Sequence, residues 1–238
     1  MKYITLFEQQ TAFDNAKSTL DKPNMSLVTE TGNVYSLSVG GGVTYEYVDL
    51  GLSVKWAKCN VGAEKETDAG LYFAWGETTG YTASQVGTDK QFSWSDYKYE
   101  NGGSDLTKYN QSDGKTVLES TDDAATQIMG GDWRMPTQDE FQELIDNTTK
   151  EWTQVNGVNG YKFTSKKEGY QNNSIFIPAA GSCGNGSVYN VGSDGGVWSS
   201  SLNTSNPSDA WCLNFNSGNC RMSSRSRCNG RSVRGVRK

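Results

Sequence analysis

The 238-residue chain contains no histidine. That removes the side chain that most often serves as general base, as metal ligand and as partner of a nucleophilic serine or cysteine. The five cysteines, Cys59, Cys183, Cys212, Cys220 and Cys228, are odd in number and form no C-x-x-C pair, so they signal neither a zinc site nor a closed disulfide framework. Cys212, Cys220 and Cys228 recur every eight residues, but without histidine or paired spacing this makes no metal site. Free thiols are expected. No catalytic residue, metal or cofactor is assigned, and the chain reads as a non-enzyme.

The chemistry that remains is that of recognition. Residues 219–238 carry Arg221, Arg225, Arg227, Arg231, Arg234, Arg237 and Lys238 and no acidic side chain, whereas the chain as a whole has 22 basic and 27 acidic residues. Six of the seven arginines lie there, and Arg134 is the exception. A guanidinium presents a planar fork of donors and stacks on rings, which suits binding rather than turnover. A basic run of this kind also suits nucleic acid or another anionic surface. That is the alternative reading, set against the serines, cysteines and asparagines interleaved with these arginines.

Those residues must be held by elements with a buried side. In Ala210–Asn216 the odd positions Trp211, Leu213 and Phe215 are large and apolar, so Cys212, Asn214 and Asn216 are expected on the solvent face of a strand. Leu52, Val54 and Trp56 alternate in the same way with Ser53, Lys55 and Ala57. Further strands are expected at 161–165, 174–178, 196–200 and 232–236. A helix over 121–129 would have Thr121 as its cap, Asp122 and Asp123 at its positive end, Ala124, Ala125 and Ile128 on one face, and Gly130 as its stop. A second helix starts at a capping box, Thr137 with Glu140, and carries a stripe of Phe141, Leu144 and Ile145. The tryptophans Trp56, Trp75, Trp133 and Trp198 are expected in the core rather than on a sugar platform.

Residues 1–43 read as a separate small element, an attachment or oligomerisation module, and 44–238 as the main domain. In the first, Phe7–Leu20 has helical spacing, Met25–Val28 and Val34–Val39 are strand-like, and Gly40–Gly42 makes a hinge. Mean hydropathy is −0.67 and no apolar run approaches the ~20 residues of a membrane span, so membrane insertion is not expected. The N-terminus meets Glu8 before an apolar core of a signal peptide develops.

Five motifs occur in order: 48–57 (Val-Asp-Leu-Gly-Leu-Ser-Val-Lys-Trp-Ala), 72–77 (Tyr-Phe-Ala-Trp-Gly-Glu), 130–137 with Glu140 (Gly-Gly-Asp-Trp-Arg-Met-Pro-Thr), 177–181 (Ile-Pro-Ala-Ala-Gly) and 198–201 (Trp-Ser-Ser-Ser). They resemble the Fibrobacter major paralogous domain, a branch of the formylglycine-generating-enzyme-like C-type lectin fold, over about residues 45–238. The resemblance implies an α+β, C-type-lectin-like fold with two helices, small antiparallel sheets and long loops. Gly230–Val236 (Gly-Arg-Ser-Val-Arg-Gly-Val) also resembles the terminal motif of the variable proteins of diversity-generating retroelements, with Gly235 where that motif has proline.

Those proteins occur in phages and Bacteroides-type gut bacteria, and adenine-directed mutagenesis of their AAC codons gives outcomes that include Asn, Ser, Arg, Cys and Asp but never Lys, Trp, Met, Gln or Glu. The stretch from Cys212 to Arg231 is dominated by the permitted set. The resemblance therefore implies a variable segment at about 208–231. Its ligand-binding residues are Ser208, Asp209, Cys212, Asn214, Asn216, Cys220, Arg221, Ser223, Ser224, Arg225, Ser226, Cys228 and Arg231. It implies a protein or glycan ligand on a cell surface, and display on a phage tail or a bacterial cell-surface assembly, with residues 1–43 attaching the domain or oligomerising it. The fold's namesake enzymes are oxidoreductases, a degenerate form of which is a third reading, but no motif around Cys59 or Cys183 matches theirs. The triplets that mark calcium-dependent sugar binding are likewise missing from the sequence.

Overall fold

The computed structural model describes residues 45–101 and 105–238, together with the backbone of two short strands at 25–28 and 34–37. The chain divides into two compact units, Met1–Thr44 and Tyr45–Lys238. In the first, β1 (Met25–Val28) pairs antiparallel with β2 (Val34–Leu37). The helix expected over Phe7–Leu20 and the hinge at Gly40–Gly42 lie outside the described residues.

In the second unit β3 (Tyr47–Val48) and β4 (Lys55–Asn60) lead through long loops to α1 (Ala124–Met129) and α2 (Gln138–Asn147). Then follow β5 (Thr148–Val155), β6 (Val158–Ser165), β7 (Ser174–Pro178), β8 (Ser182–Gly184), β9 (Ser187–Tyr189), β10 (Asp194–Leu202), β11 (Asp209–Asn216), β12 (Asn219–Ser226) and β13 (Arg234–Arg237). They form three three-stranded antiparallel sheets, β10-β11-β12, β13-β4-β3 and β5-β6-β7, and the hairpin β8-β9. This is an α+β, C-type-lectin-like architecture.

Thr137 caps α2 as its sequence requires: its side chain accepts from Glu140 N at 3.2 Å, and Glu140 Oε2 accepts from Thr137 N at 2.8 Å. Phe141, Leu144 and Ile145 are buried. α1 departs from expectation. Thr121 lies in a 3-10 turn, and Asp123 is the cap instead, its carboxylate accepting from Thr126 N at 2.9 Å and from Met135 N at 2.8 Å. Ile128 turns outward. Asp122 does not complement the helix dipole but is a buried acceptor for Lys98, Lys108 and Tyr109. Ala57, expected toward solvent, is buried, its carbonyl accepting from the buried Arg234 guanidinium.

Two hydrophobic clusters fill the interior. One gathers Trp75, Tyr97, Tyr99, Tyr109, Trp198, Ala210 and Cys212, and the other gathers Trp56, Phe141, Leu144, Phe163, Val197, Leu213 and Phe215. The sheet β10-β11-β12 stands between them. Trp56, Trp75, Trp133 and Trp198 are all buried, as expected.

Three arginines of the basic segment are inside the protein. Arg227 is fully buried, with its guanidinium 4.8 Å from the Trp75 ring and 5.3–5.8 Å from Tyr97, Tyr99 and Tyr109. Its Nε donates to Tyr97 Oη at 2.9 Å, Nη1 to Tyr109 O and Pro207 O at 3.0 Å, and Nη2 to Lys108 O at 3.0 Å. Carbonyl dipoles and ring faces thus replace the water that a buried cation loses. Arg234 is equally buried and donates to Asn60 Oδ1, Ala57 O, Lys58 O and Phe176 O. Burial lowers its pKa to about 10, so it stays charged at neutral pH. Gly235, found where the terminal motif has proline, leaves room that a Cβ would lack: such an atom would stand 2.6 Å from Met129 Sδ and 3.1 Å from Trp133 Cε3.

Truncating Phe141 to alanine is expected to cost about 3–5 kcal/mol, and Leu144→Ala about 2–5 kcal/mol, measured by denaturant unfolding. A cost below about 0.5 kcal/mol would mean that the stripe faces solvent. Burial pushes the Asp122 carboxyl up, but the hydrogen bonds from Lys108, Tyr99, Lys98 and Tyr109 prevail and hold it well below the usual range. A depressed folded pKa contributes stability that is present above the unfolded value of about 4 and is lost as pH falls below it. Unfolding at pH 7 and pH 3 should therefore show Asp122→Asn destabilised at neutral pH, with a gap to wild type that narrows in acid. Arg227→Met leaves four acceptors without their donor and should cost about 3 kcal/mol or more, with a changed near-ultraviolet circular dichroism spectrum from the surrounding rings.

Candidate functional site

The pairing of β10, β11 and β12 fixes which side chains share a face. Cys212 stands opposite Trp198 and Ser223, and Asn214 opposite Gly196 and Arg221. Leu213 stands opposite Val197 and Met222, and Trp211 opposite Ser224. One face is therefore buried at the Ala210–Cys212 end and open at Asn214 and Asn216. The other is buried at Leu213 and Phe215 and open at Asp209 and Trp211.

This corrects the expected alternation. Cys212, placed on the solvent side by its sequence period, is fully buried, and Trp211, placed inside, is only half-buried. The cause is that β11 is a central strand that passes from one hydrophobic cluster to the other, so the buried face changes midway along it. Cys228 and Arg231 are also buried, at 4% exposure each, and do not belong to an outer surface. The Arg231 guanidinium lies 5.4 Å from the Trp198 ring, and its backbone exchanges hydrogen bonds with Phe73 at 2.9 and 3.0 Å. It rests on Gly196, where a Cβ would come within 1.8 Å of Arg231 Nη1.

Ten of the thirteen expected residues do reach the surface in whole or part: Ser208, Asp209, Asn214, Asn216, Cys220, Arg221, Ser223, Ser224, Arg225 and Ser226. Cys220 is half-buried beside the second cluster. Arg225 is already held in place, Nη1 donating to Ser223 Oγ at 2.6 Å and Ser224 O at 2.8 Å and Nη2 to Asn214 Oδ1 at 3.3 Å. Arg221 is exposed. A guanidinium fixed before binding loses less side-chain freedom when a ligand arrives.

Beside the Asp209 end of this sheet lies a cleft of about 500 Å³, lined by Trp94, Glu100, Leu106, Asn206, Ser208, Asp209 and Ser226. Three of these residues were legible in the sequence. Asn206, in the turn before β11, was not singled out, and Trp94, Glu100 and Leu106 were not because they reach the site from loops more than a hundred positions before Asp209 and carry no local pattern of their own.

All five cysteines are free thiols. Burial pushes their pKa values up, Cys183 to about 12 and Cys220 and Cys228 to about 11, with Cys59 and Cys212 also raised. Thiolate, the reactive form, is therefore scarce at neutral pH. Among the described residues no group of three metal-ligating side chains gathers.

Neither the curated proteins nor the solved structures give a significant match to the chain. Residues 47–237 match the family of the Lcl C-terminal domain. The matched span runs from β3 to β13 and includes the β10-β11-β12 sheet and the cleft beside it. The chain belongs to the Lcl C-terminal domain family.

Proposed function

We propose that this protein is a diversified, non-enzymatic recognition protein, the target of a diversity-generating retroelement, that binds a protein or glycan on a cell surface. The finer kinship with the Fibrobacter major paralogous domain and the formylglycine-generating-enzyme-like branch is part of this reading. So are attachment or oligomerisation through residues 1–43 and display on a phage tail or bacterial surface assembly. The observation that carries it is that most positions of the segment dominated by adenine-derived residues lie on the open parts of β11 and β12, with Cys212, Cys228 and Arg231 as buried exceptions. Asn214, Asn216, Arg221, Ser224 and Ser226 stand on β11 and β12, while Met222, which that mutagenesis cannot produce, packs against the core. A rigid scaffold with exposed polar positions tolerates substitution without losing its fold.

The nucleic-acid reading is weakened because Arg227, Arg231 and Arg234 are consumed in the interior. The raised thiol pKa values weaken the oxidoreductase reading. A steep salt dependence of DNA binding would restore the former.

The neighbouring DNA supplies the test. It should hold a reverse transcriptase gene and a near-copy of the 210–236 coding stretch differing only at adenines. In parallel, a library randomised at Asn214, Asn216, Arg221, Ser224 and Ser226 should keep its melting transition, at within about 0.5 kcal/mol per site, while one randomised at Cys212, Cys228 and Arg231 should lose it. Differences scattered over all four bases, or a library that unfolds at the first set, would sink the proposal.

A further inference from the structure

We propose that the face of the β10-β11-β12 sheet bearing Asn214 and Arg221 receives the side-chain carboxylate of an acidic residue of a protein ligand, with the Arg231 guanidinium as its floor and Arg221 and Arg225 beside it. This rests on the recognition reading above and names the chemistry of one part of that surface. Arg231 is the indication. It is only 4% exposed, yet among the described residues nothing accepts from its guanidinium: Nε is buried without a partner, and no carboxylate pairs with it. The two other buried arginines differ, since Arg227 and Arg234 each donate to four acceptors from Nε, Nη1 and Nη2. A buried cation left without acceptors is costly. The Trp198 ring, 5.4 Å from the Arg231 guanidinium, offsets one side of it only.

The unsatisfied fork is aimed at the open part of the sheet. A Cβ on Gly196 would stand 1.8 Å from Arg231 Nη1, so this nitrogen occupies the space over Gly196 that a side chain would fill. Gly196 pairs with Asn214, and Asn214 with Arg221; directly paired residues project from one face, with Cβ atoms about 5 Å apart. Arg225 reaches the same place along β12, its Nη2 donating to Asn214 Oδ1 at 3.3 Å. Three guanidinium groups thus converge around Asn214, where Arg221 is exposed and Arg225 half-buried, and among the described residues none of the three forms an ion pair. Asp194, which alternation places on this face, accepts from Asn190 Nδ2 at 2.7 Å instead. Converging like charges favour an anion, and a planar fork matches a carboxylate through two parallel bonds. A sugar would add stacking on an exposed ring, but Trp198, the ring beside Arg231, is fully buried, so an acidic side chain fits the face better than an acidic sugar.

The test uses the full chain with isotopically labelled arginine and four probes read by nuclear magnetic resonance. They are the capped peptide Gly-Glu-Gly, the same peptide with glutamine for glutamate, glucuronate and inorganic sulfate. The Nε–H groups of Arg231 and Arg225, assigned with Arg231→Lys and Arg225→Gln, report occupancy. The acidic peptide should give saturable shifts at both, weakening with salt. The glutamine peptide on wild type, and the acidic peptide on Arg225→Gln read at Arg231, should each bind about tenfold more weakly or worse, and glucuronate and sulfate should bind more weakly than the acidic peptide. A melting curve of Arg225→Gln matching wild type separates lost binding from lost folding, and Arg221→Gln, at an exposed position, serves as the second variant if it does not match. Equal shifts with the glutamine peptide, glucuronate or sulfate bound as tightly as the acidic peptide, undiminished binding by the folded variant, or no shift with millimolar acidic peptide would each overturn the proposal. Because the probes are independent of the natural ligand and of the genetic test, failure here leaves the recognition reading standing, and failure there leaves the chemistry of this face readable.

Discussion

The arrangement depends on placing permanently charged guanidinium groups inside a protein. Moving an unpaired ion from water into a low-dielectric interior is prohibitive, and among the described residues neither Arg227 nor Arg234 forms an ion pair with a carboxylate. Their charge is offset by carbonyl oxygens drawn from distant parts of the chain, Lys108, Tyr109 and Pro207 for one, and Ala57, Lys58 and Phe176 for the other. Arg227 therefore works as a multi-armed tie between irregular segments, and Arg234 as one between β4 and β7. Lysine offers one point charge and no planar fork and could not take its place. The long loop carrying Lys108 and Tyr109 and the turn carrying Pro207 converge because one side chain needs both.

The same economy sorts the basic segment into two populations. Arg227, Arg231 and Arg234 belong to the interior, while Arg221, Arg225 and Arg237 retain contact with solvent. A count of positive charges at the end of the sequence overstates the charge that an approaching partner meets. Within the sheet, two clusters on opposite faces leave open ground on both. Asn214, Asn216 and Arg221 stand on one side, and Asp209, Trp211, Ser224 and Ser226 on the other, next to the cleft.

What could be read from the sequence follows from how local each cause is. The capped helix was legible because Thr137, Glu140 and the Phe141–Leu144–Ile145 stripe interact within two turns. The strands at 174–178 and 210–216 were legible from composition, and the burial of the four tryptophans from their size. The faces of β11 were not, since period-two reasoning assumes a strand with one wet side, and Cys212 and Trp211 exchange roles where the strand passes between clusters. Thr121 lost the cap to Asp123 because that carboxylate also serves Met135, twelve residues on. Half of the cleft was invisible for the same reason: Trp94 and Leu106 meet Asp209 only through the fold.

The pairing of β13 with β4 brings the last strand of the domain beside one of its first. A tug applied to Tyr45 and resisted at β11 and β12 cannot travel along the chain alone. It crosses the β3-β4-β13 hydrogen bonds and the four donors of Arg234 before it reaches the sheet through Arg227–Ser232. Mechanical load is thus shared among many short bonds in the interior.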